Sequence, residues 1–471
     1  MLARPPSPLR PARSGERYLA PAQLAAAAAN LAERYPARCR LRAVGRSRAG
    51  QPLLLLSVSP PGGSLAEAGG DSVLVTAGPH ANEPAGGMAV LRLARLLLNG
   101  ELAPAPGEPA LAWHLLLCLD PDGACRNQRW LRGPFTLASY HRGLFRPACE
   151  QQPEWSPAAS PAAPPLPETR ALLALIDELR PRLQCSLHGV DLGGSFVQLT
   201  REVPGVVAAL GGSAARHGMP LALGAEDAAS WPSPGPGVFV LPPDPTQASA
   251  ACQADPRRST WCHVERYGGL TAVVESPMWA VDRVADAAPH PNAARAVAQA
   301  ADELRDGCAH VAEILAASGA EALLDGGDPL VCAALGPLAF GPRLAAHWRL
   351  DPPPAATVAR VTELEIMACR TPLRAAAMLA RSFERLLELA QLPPGAARAD
   401  VARAQARLGA FITASCAAIE RRFAPRWVPI ARQADHQART VLAIAGLVAS
   451  AGSAARPATA APATAAPAAS G

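Results

Sequence analysis

The chain of 471 residues contains no lysine, so arginine supplies all 44 of its basic residues. Its formal net charge is only +5, and no block of arginines stands together in the sequence. Proteins that bind nucleic acid usually show clustered basic residues, and this sequence lacks them. We therefore predict no nucleic-acid partner, and we attribute the arginine bias to the same coding pressure that enriches alanine and proline.

Two further absences concern cysteine pairs and long apolar runs. The eleven cysteines are scattered and none forms a C-x-x-C pair, so neither a zinc ribbon nor a disulfide framework is expected. No apolar run reaches the length of a membrane span, and no apolar signal segment follows the first residues. The sequence therefore predicts a cytoplasmic protein with reduced thiols and no membrane partner.

What the chain does contain is a short apolar run that leads into a histidine and a carboxylate. Val73–Thr76 has the pattern of a buried strand, and a Gly-Pro pair ends it. His80 and Glu83 follow as H-x-x-E, and Pro84 can open a helix that we predict to run to about Asn99. An imidazole and a carboxylate thus share a strand-to-helix loop, where open α/β sheets bind ligands.

Two distant stretches repeat this arrangement. Leu183–His188 has the pattern of a short strand that ends in a histidine, and Leu270–Glu275 is an apolar strand pattern that ends in a carboxylate. A single strand-end histidine is more simply explained as a core residue, but three such strand ends together predict one site. Glu226 and Glu265 are the competing carboxylates, and both lie in predicted loops.

In the order of these motifs the chain resembles the M14 family of zinc metallocarboxypeptidases, within the carboxypeptidase A-like and succinylglutamate desuccinylase-like superfamily. H-x-x-E is followed by a Pro121-Asp122-Gly123 turn, an Asn/Arg cluster, the strand-end histidine and the strand-end glutamate. The resemblance covers roughly residues 17–285. It implies an α/β fold, a mixed eight-stranded-type sheet with helices on both faces.

The rest of the sequence predicts how the chain is divided. Alanine-, leucine- and arginine-rich helical patterns continue to about residue 449, and no alternating strand pattern interrupts them. We predict a disordered N terminus at 1–16, an M14-like zinc peptidase domain at 17–320, an α-helical C-terminal region at 321–449 and a disordered Ala/Pro tail at 450–471.

The resemblance implies a zinc site with His80, Glu83 and His188 as ligands. Two histidines and one glutamate are a recurring ligand set for catalytic zinc, and they leave one position for water. Across the site a carboxylate must accept the proton of that water and pass it to the leaving amine. Glu275 is the predicted general base.

A developing oxyanion and a substrate carboxylate both call for a guanidinium, whose fork matches a carboxylate. The cluster after the P-D-G turn resembles the Asn/Arg segment of the family, and it makes Asn127 and Arg129 the first candidates and Arg132 the next. The second Asn-Arg pair of the family has no clear match here. Arg142 and Arg146 lie in the corresponding region without a preceding asparagine.

The predicted function is a zinc-dependent hydrolase of a peptide or amide bond, most simply a metallocarboxypeptidase with a peptide substrate. The best-known family members place a tyrosine in a mobile loop before the catalytic glutamate, and none of the four tyrosines here matches it. Two alternatives therefore stay open. One is an amidohydrolase of the same fold that acts on N-acyl amino acids, and the other is a catalytically silent M14-like domain that binds a peptide.

Overall fold

The computed structural model describes residues 16–59, 72–101, 111–159, 162–244, 255–320, 327–350, 356–389, 392 and 397–454. The segments predicted to be disordered, 1–16 and 450–471, lie outside the described residues except for Glu16 and residues 450–454. Residues 450–454 belong to the last helix.

Nine strands of the described chain form one mixed sheet. They are β1 Cys39–Arg46, β2 Pro52–Val58, β3 Ser72–Ala77, β4 Ala112–Leu116, β5 Leu183–Gly193, β6 Phe196–Leu199, β7 Val238–Val240, β8 Leu270–Ala280 and β9 Arg426–Trp427. Eight follow the order β1-β2-β4-β3-β5-β8-β6-β7, and the two-residue β9 pairs with β8. The predicted α/β class with a mixed eight-stranded-type sheet is confirmed.

The centre of the sheet is parallel, which fixes where the site lies. β4, β3, β5 and β8 are parallel neighbours, so their carboxyl ends meet at one edge. Every residue of β3 and of β8 is buried, as expected of strands that are covered on both faces. The loop after β3, which carries His80 and Glu83, therefore opens onto the same edge as the C-terminal halves of β5 and β8.

Both site strands are longer than the sequence predicts. β5 runs to Gly193 and β8 to Ala280, so His188 and Glu275 lie within the strands rather than at their ends. The two strands stay paired past these residues, and β9 adds a second partner for the end of β8. The predicted strand ends are therefore wrong by about five residues, because pairing continues where the local pattern becomes mixed.

Twelve α-helices surround the sheet in the described part of the chain. They are α1 Pro21–Arg34, α2 Ala85–Leu98, α3 Pro121–Arg126, α4 Leu137–Gly143, α5 Ser156–Ala159, α6 Pro167–Leu179, α7 Val206–His217, α8 Ala293–Ala316, α9 Pro329–Leu350, α10 Val358–Leu389, α11 Arg398–Phe423 and α12 Ile430–Ala454. On one face, α1, α2, α7 and α12 pack on the sheet in a single apolar core. On the other face, α6 packs on β2, β3 and β4.

Helix α2 follows the site loop and is buried almost all round. Pro84 occupies its N-cap position, and the helix ends at Leu98, close to the predicted limits. Its apolar side chains pack between the sheet and α12. Burial of this helix fixes the direction in which the chain leaves His80 and Glu83.

Some of the C-terminal helices pack on the sheet and its neighbouring helices rather than only on one another. α8, α9, α10 and α11 pack mainly on one another, but α10 also contacts α4 and β5, and α12 returns to the sheet beside α2. The predicted boundary at residue 320 remains a prediction. Beyond it, the segment from Ile430 to Ala454 contributes directly to a core of the sheet.

Helix α9 is the one described helix whose length and composition would permit a membrane span. Its buried residues, including Leu330, Val331 and Leu344, pack against the neighbouring helices of the C-terminal region. A single helix of this kind is weak evidence for a membrane protein.

Candidate metal centre

The three predicted metal ligands converge at the carboxyl edge of the sheet. His80, Glu83 and His188 are all buried and can each offer one ligand atom within 4.8 Å of the others. Nδ1 of His80 lies 3.0 Å from Oε1 of Glu83, and Nδ1 of His188 lies 3.5 Å from Oε2 of the same carboxylate. Glu83 thus stands between the Nδ1 atoms of two imidazoles whose planes are nearly perpendicular.

The turn after β3 brings two of these side chains together. Gly78 has a left-handed φ of +59°, and a Cβ there would meet Sγ of Cys118 at 3.0 Å, so glycine suits this position. The backbone N–H of Gly189 donates to Oε2 of Glu83 at 3.0 Å and ties the loop to β5. The H-x-x-E spacing therefore places both groups beside the third one, which comes from more than a hundred residues later.

The protonation of the cluster follows from burial and from one nearby guanidinium. Burial and the charge of Arg146 lower the pKa of His80 to about 4, so this imidazole is neutral at pH 7. Burial raises the pKa of Glu83, but His80 and Arg146 outweigh that effect and lower it below its usual range. Burial lowers the pKa of His188, yet Glu154 and other carboxylates raise it to about 9.

The cluster fits a zinc ion by its donor chemistry. Two imidazole nitrogens and one carboxylate are donors that zinc prefers, and all three side chains are withdrawn from water. Neither Nε2 of His80 nor Oε2 of Glu275 has a hydrogen-bond partner among the described residues, although both atoms are buried. Because buried polar atoms are normally paired, this site is built to hold something polar.

Glu275 lies beside the cluster, opposite His188. The two residues are register partners on neighbouring parallel strands, and Oε1 of Glu275 is 3.7 Å from Nδ1 of His188. Burial raises the pKa of Glu275 to about 8, although His188 and Arg146 act to lower it. A carboxyl group with a pKa near neutral pH suits the transfer of protons.

The two competing carboxylates lie elsewhere. Glu226 is buried but forms an ion pair of 2.5 Å with Arg360 and accepts a hydrogen bond from Trp348. Glu265 is exposed on a 3₁₀ segment, Thr260–Tyr267. Neither has a contact with the three predicted ligands in the described structure.

Among the predicted arginines, Arg146 reaches the cluster. Its Nη1 donates to Oε1 of Glu83 at 2.6 Å and to Oδ1 of Asn82 at 3.2 Å, and its Nη2 lies 3.1 Å from Nδ1 of His80. Asn82 in turn donates to the hydroxyl of the buried Tyr140. The guanidinium is therefore held at the centre by a small polar network.

The structure does not bring the other predicted arginines to the cluster. The guanidinium of Arg129 forms a bidentate pair with Glu384 and is 55% exposed. Arg132 is exposed, and the guanidinium of Arg142, also at the surface, donates to Thr413. Arg129 faces Glu384 of α10 instead, and the roles predicted for Arg129, Arg132 and Arg142 stay predictions.

The side chain of Asn127 holds two backbone segments of the site together. It is buried, its amide donates to the carbonyls of Ala81, Gly123 and Phe145, and its Oδ1 accepts from the backbone of Phe145. These bonds fasten the segment that carries Arg146 to the loop that carries His80. Asn127 thus shapes the site without a side-chain contact to the three ligands.

Glu154 is a residue that the sequence did not single out. Its carboxylate is fully buried and accepts hydrogen bonds from Ser186 at 2.7 Å, from Trp261 at 2.8 Å and from Nε2 of His188 at 2.9 Å. It lies in a proline-rich stretch, residues 151–167, which has no helix or strand pattern in the sequence. In the structure this stretch carries the short helix α5 and places the Glu154 carboxylate against Nε2 of His188.

Helix α10 from the C-terminal region also reaches this edge. Asp191, three residues after His188 in β5, accepts hydrogen bonds from Arg370 at 3.2 Å and from Arg374 at 2.8 Å. Burial raises the pKa of Asp191, but Arg374 and Arg370 outweigh it and hold the pKa well below its usual range. This ion-pair group ties α10 to the strand that carries His188.

The sequence that carries this site is similar to one known protein family. Residues 24–196 match the sequence model of the zinc carboxypeptidase family, M14. The solved structures similar to the chain include a metallo-carboxypeptidase from Burkholderia cenocepacia, with 18% identity, a TM-score of 0.33 and coverage of 55% of this chain and 60% of that one. Another is carboxypeptidase A from Helicoverpa armigera, with 15% identity, a TM-score of 0.36 and coverage of 55% and 65%.

These structural similarities are too weak to carry residue roles over to this chain, and no curated protein matched it by sequence. The family match itself includes His80, Glu83, Glu154 and His188, whereas Glu275 lies beyond it. The part of the chain that carries the three predicted metal ligands is therefore similar to the zinc carboxypeptidase family, M14.

Proposed function

We propose that the chain is a zinc-dependent hydrolase that cleaves a peptide or amide bond, as a metallocarboxypeptidase does. The observation that carries this proposal is the convergence of His80, Glu83 and His188 with a buried carboxyl, Glu275, whose oxygen lies 3.7 Å from His188. Two buried polar atoms of this group, Nε2 of His80 and Oε2 of Glu275, have no partner in the described structure and are available to a ligand.

We assign the zinc ligands to His80, Glu83 and His188. A zinc ion there would polarise a substrate carbonyl, make a water more acidic, with a pKa of about 7, and favour the ionised form of a nearby carboxyl. Glu275 would accept the proton of the attacking water and give it to the leaving nitrogen. His188 must lose its proton to bind a metal, because its pKa is raised to about 9.

Arg146 is the candidate for the substrate oxygen. Its guanidinium lies within the polar network of the centre, whereas Arg129 is occupied by Glu384 at the surface. A guanidinium in a largely buried site stabilises a developing oxyanion or a carboxylate more strongly than one in water. We therefore assign to Arg146 the role that the sequence alone gave to Arg129.

An amidohydrolase of N-acyl amino acids is the second candidate. All four tyrosines lie in the described residues, and three of them have hydroxyl partners: Tyr18 bonds Gln433, Tyr140 bonds Asn82 and Tyr267 bonds Asp177. Tyr35 follows α1 and is stacked by Arg34. None is placed to close over a peptide in the manner of the best-known family members, which favours a small amide substrate.

A panel of peptides and N-acyl amino acids tests both candidates. Turnover should require zinc, disappear with a chelator and return when zinc is added back. His188→Ala should lose most of its zinc and its turnover, whereas His263→Ala should keep both, because His263 bonds Asp177 outside the centre. Zinc binding without hydrolysis of any member would favour the silent peptide-binding alternative, and turnover that survives the chelator would reject the zinc mechanism.

A further inference from the structure

Helix α12 sends a buried side chain to the backbone of both site strands. Nε2 of Gln437 donates to the carbonyl of His188 at 2.5 Å and to the carbonyl of Val274 at 3.2 Å. Gln437 is completely buried and lies 249 residues after His188 in the sequence. One amide group therefore bridges β5 and β8 at the point where the metal ligand and Glu275 face each other.

A second link joins α12 to Glu275 itself. Oγ of Ser195 donates to the carbonyl of Glu275 at 2.8 Å and lies 2.7 Å from Nε2 of His436. Since a serine hydroxyl has one hydrogen, Nε2 of His436 must be the donor to Ser195. Nδ1 of His436 then accepts from Ser213 at 2.9 Å, so every group in the chain of bonds has its partner.

The rest of α12 docks by different means. Its apolar residues, among them Ala438, Val441 and Ile444, pack in the core with the sheet and α2. Asp435, which is partly buried, pairs with Arg92 of α2 at 2.7 Å, with Arg439 of its own helix at 2.8 Å and with His217 at 3.2 Å. The polar contacts of α12 with the two site strands are thus separate from the contacts that hold the helix on the protein.

We propose that Gln437 and His436 are positioning residues for the reaction, which rests on the proposed function. Gln437 acts on the backbone of His188, and His436 acts through Ser195 on the backbone of Glu275. Together they fix the distance between the ligand histidine and the general base. Catalytic groups must be held within about 0.5 Å of their productive geometry, and a displacement of about 1 Å can cost about 10²-fold in rate.

This role gives the C-terminal region a function within the site. α12 binds the carbonyl of His188 directly and the carbonyl of Glu275 through Ser195, and the side chains of these two residues face each other at 3.7 Å. Without α12 the sheet would lack both links. The region predicted as an α-helical C-terminal region therefore completes, through its last helix, the edge on which the chemistry takes place.

Gln437→Met tests the proposal in the full-length chain, because methionine keeps the length and apolar volume but cannot donate to the two carbonyls. Asp435→Asn is the matched control on the same helix, where it weakens the pair with Arg92 and touches neither site strand. The melting temperature of each variant is measured first. kcat, KM and zinc affinity, the last by chelator competition, are then measured at a temperature at which both variants are folded. Should Gln437→Met not fold, Ser195→Ala, which removes the donor to Glu275, takes its place.

We expect Gln437→Met to lower kcat by about 10- to 100-fold with little change in KM, and to weaken zinc binding, while Asp435→Asn changes only the melting temperature. Wild-type kcat and zinc affinity in Gln437→Met would overturn the proposal. Equal losses of kcat and zinc affinity in Gln437→Met and Asp435→Asn would also overturn it, because they would show that Gln437 only helps to dock α12 on the protein. If the wild type itself hydrolyses nothing, the proposed function fails, and the zinc affinities still decide whether α12 positions His188.

Discussion

Nε2 of His188 donates to the buried carboxylate of Glu154 at 2.9 Å, so that Nδ1 of the same ring faces Glu83 and Glu275. Burial raises the pKa of Glu154, but its hydrogen bonds from His188 and from two other donors lower it, which favours the carboxylate form. An imidazole whose second nitrogen donates to a carboxylate is fixed in orientation and is a better metal ligand. Glu154 thus prepares His188 for a metal.

Glu154→Gln should weaken zinc binding. The amide keeps the size of the side chain but is a weaker acceptor and carries no charge. Loss of such a partner typically costs about 10- to 100-fold in metal affinity. Competition with a coloured chelator measures this affinity directly, and Glu265→Gln serves as the control because Glu265 is exposed on the segment that carries Trp261. Equal zinc affinity in the two variants would rule out this role for Glu154.

Two arginine variants separate the sequence-based assignment from the structural one. Arg146→Gln should lower kcat/KM by about 10²-fold or more, because it removes a guanidinium from the centre. Arg129→Gln should leave kcat/KM almost unchanged, since Arg129 pairs with Glu384 at the surface. Steady-state kinetics on the best substrate of the panel gives both values. The reverse pattern would return the substrate role to Arg129.

Asp191→Asn should destabilise the protein. Removing one partner of a buried ion pair costs about 3–5 kcal/mol, and the side chain of Asp191 is only 2% exposed between Arg370 and Arg374. The matched control is Asp282→Asn, whose pair with Arg426 is largely exposed and should matter little. Denaturant unfolding at pH 7 measures the difference. A loss no larger than that of the control would show that this ion-pair group does not stabilise the fold.

The ion-pair group of Asp191 with Arg370 and Arg374 also predicts how the stability of the protein changes with pH. The pKa of Asp191 is lower in the folded state than its ordinary value of about 3.9, so its stabilisation is fully present above that pH. It decreases as the pH falls below about 4, because the carboxylate of the unfolded chain then takes up a proton while that of the folded chain stays ionised. The difference in unfolding free energy between wild type and Asp191→Asn should therefore shrink in this acid range. A difference that stays constant down to pH 3 would contradict the assignment.

The residues of the metal centre could be predicted because local patterns mark them. An apolar run followed by a polar ligand-type side chain identifies His80, Glu83, His188 and Glu275, and the parallel order of β3, β5 and β8 brings them to one edge. Each of these signals is confined to a few residues. The exact ends of β5 and β8 were not predictable in this way, because they depend on pairing with other strands.

The residues that support the centre are not preceded by such a local sequence pattern. Glu154 stands in a proline-rich stretch without periodicity, and Gln437 lies on a helix whose pattern shows an apolar side but not the strands beneath it. The sequence favours Arg129 over Arg146, but the tertiary structure places Arg129 against Glu384 of α10 and Arg146 beside Glu83. Tertiary contacts between distant segments decide these positions.

Zinc content and turnover measured together in Glu275→Gln test the central claim most directly. Glutamine keeps the shape of the Glu275 side chain but cannot accept the proton of a water. General base catalysis contributes about 10²–10⁴-fold, so kcat should fall by at least that order while one zinc per chain is retained. Turnover close to that of the wild type, or loss of zinc along with turnover, would contradict the account.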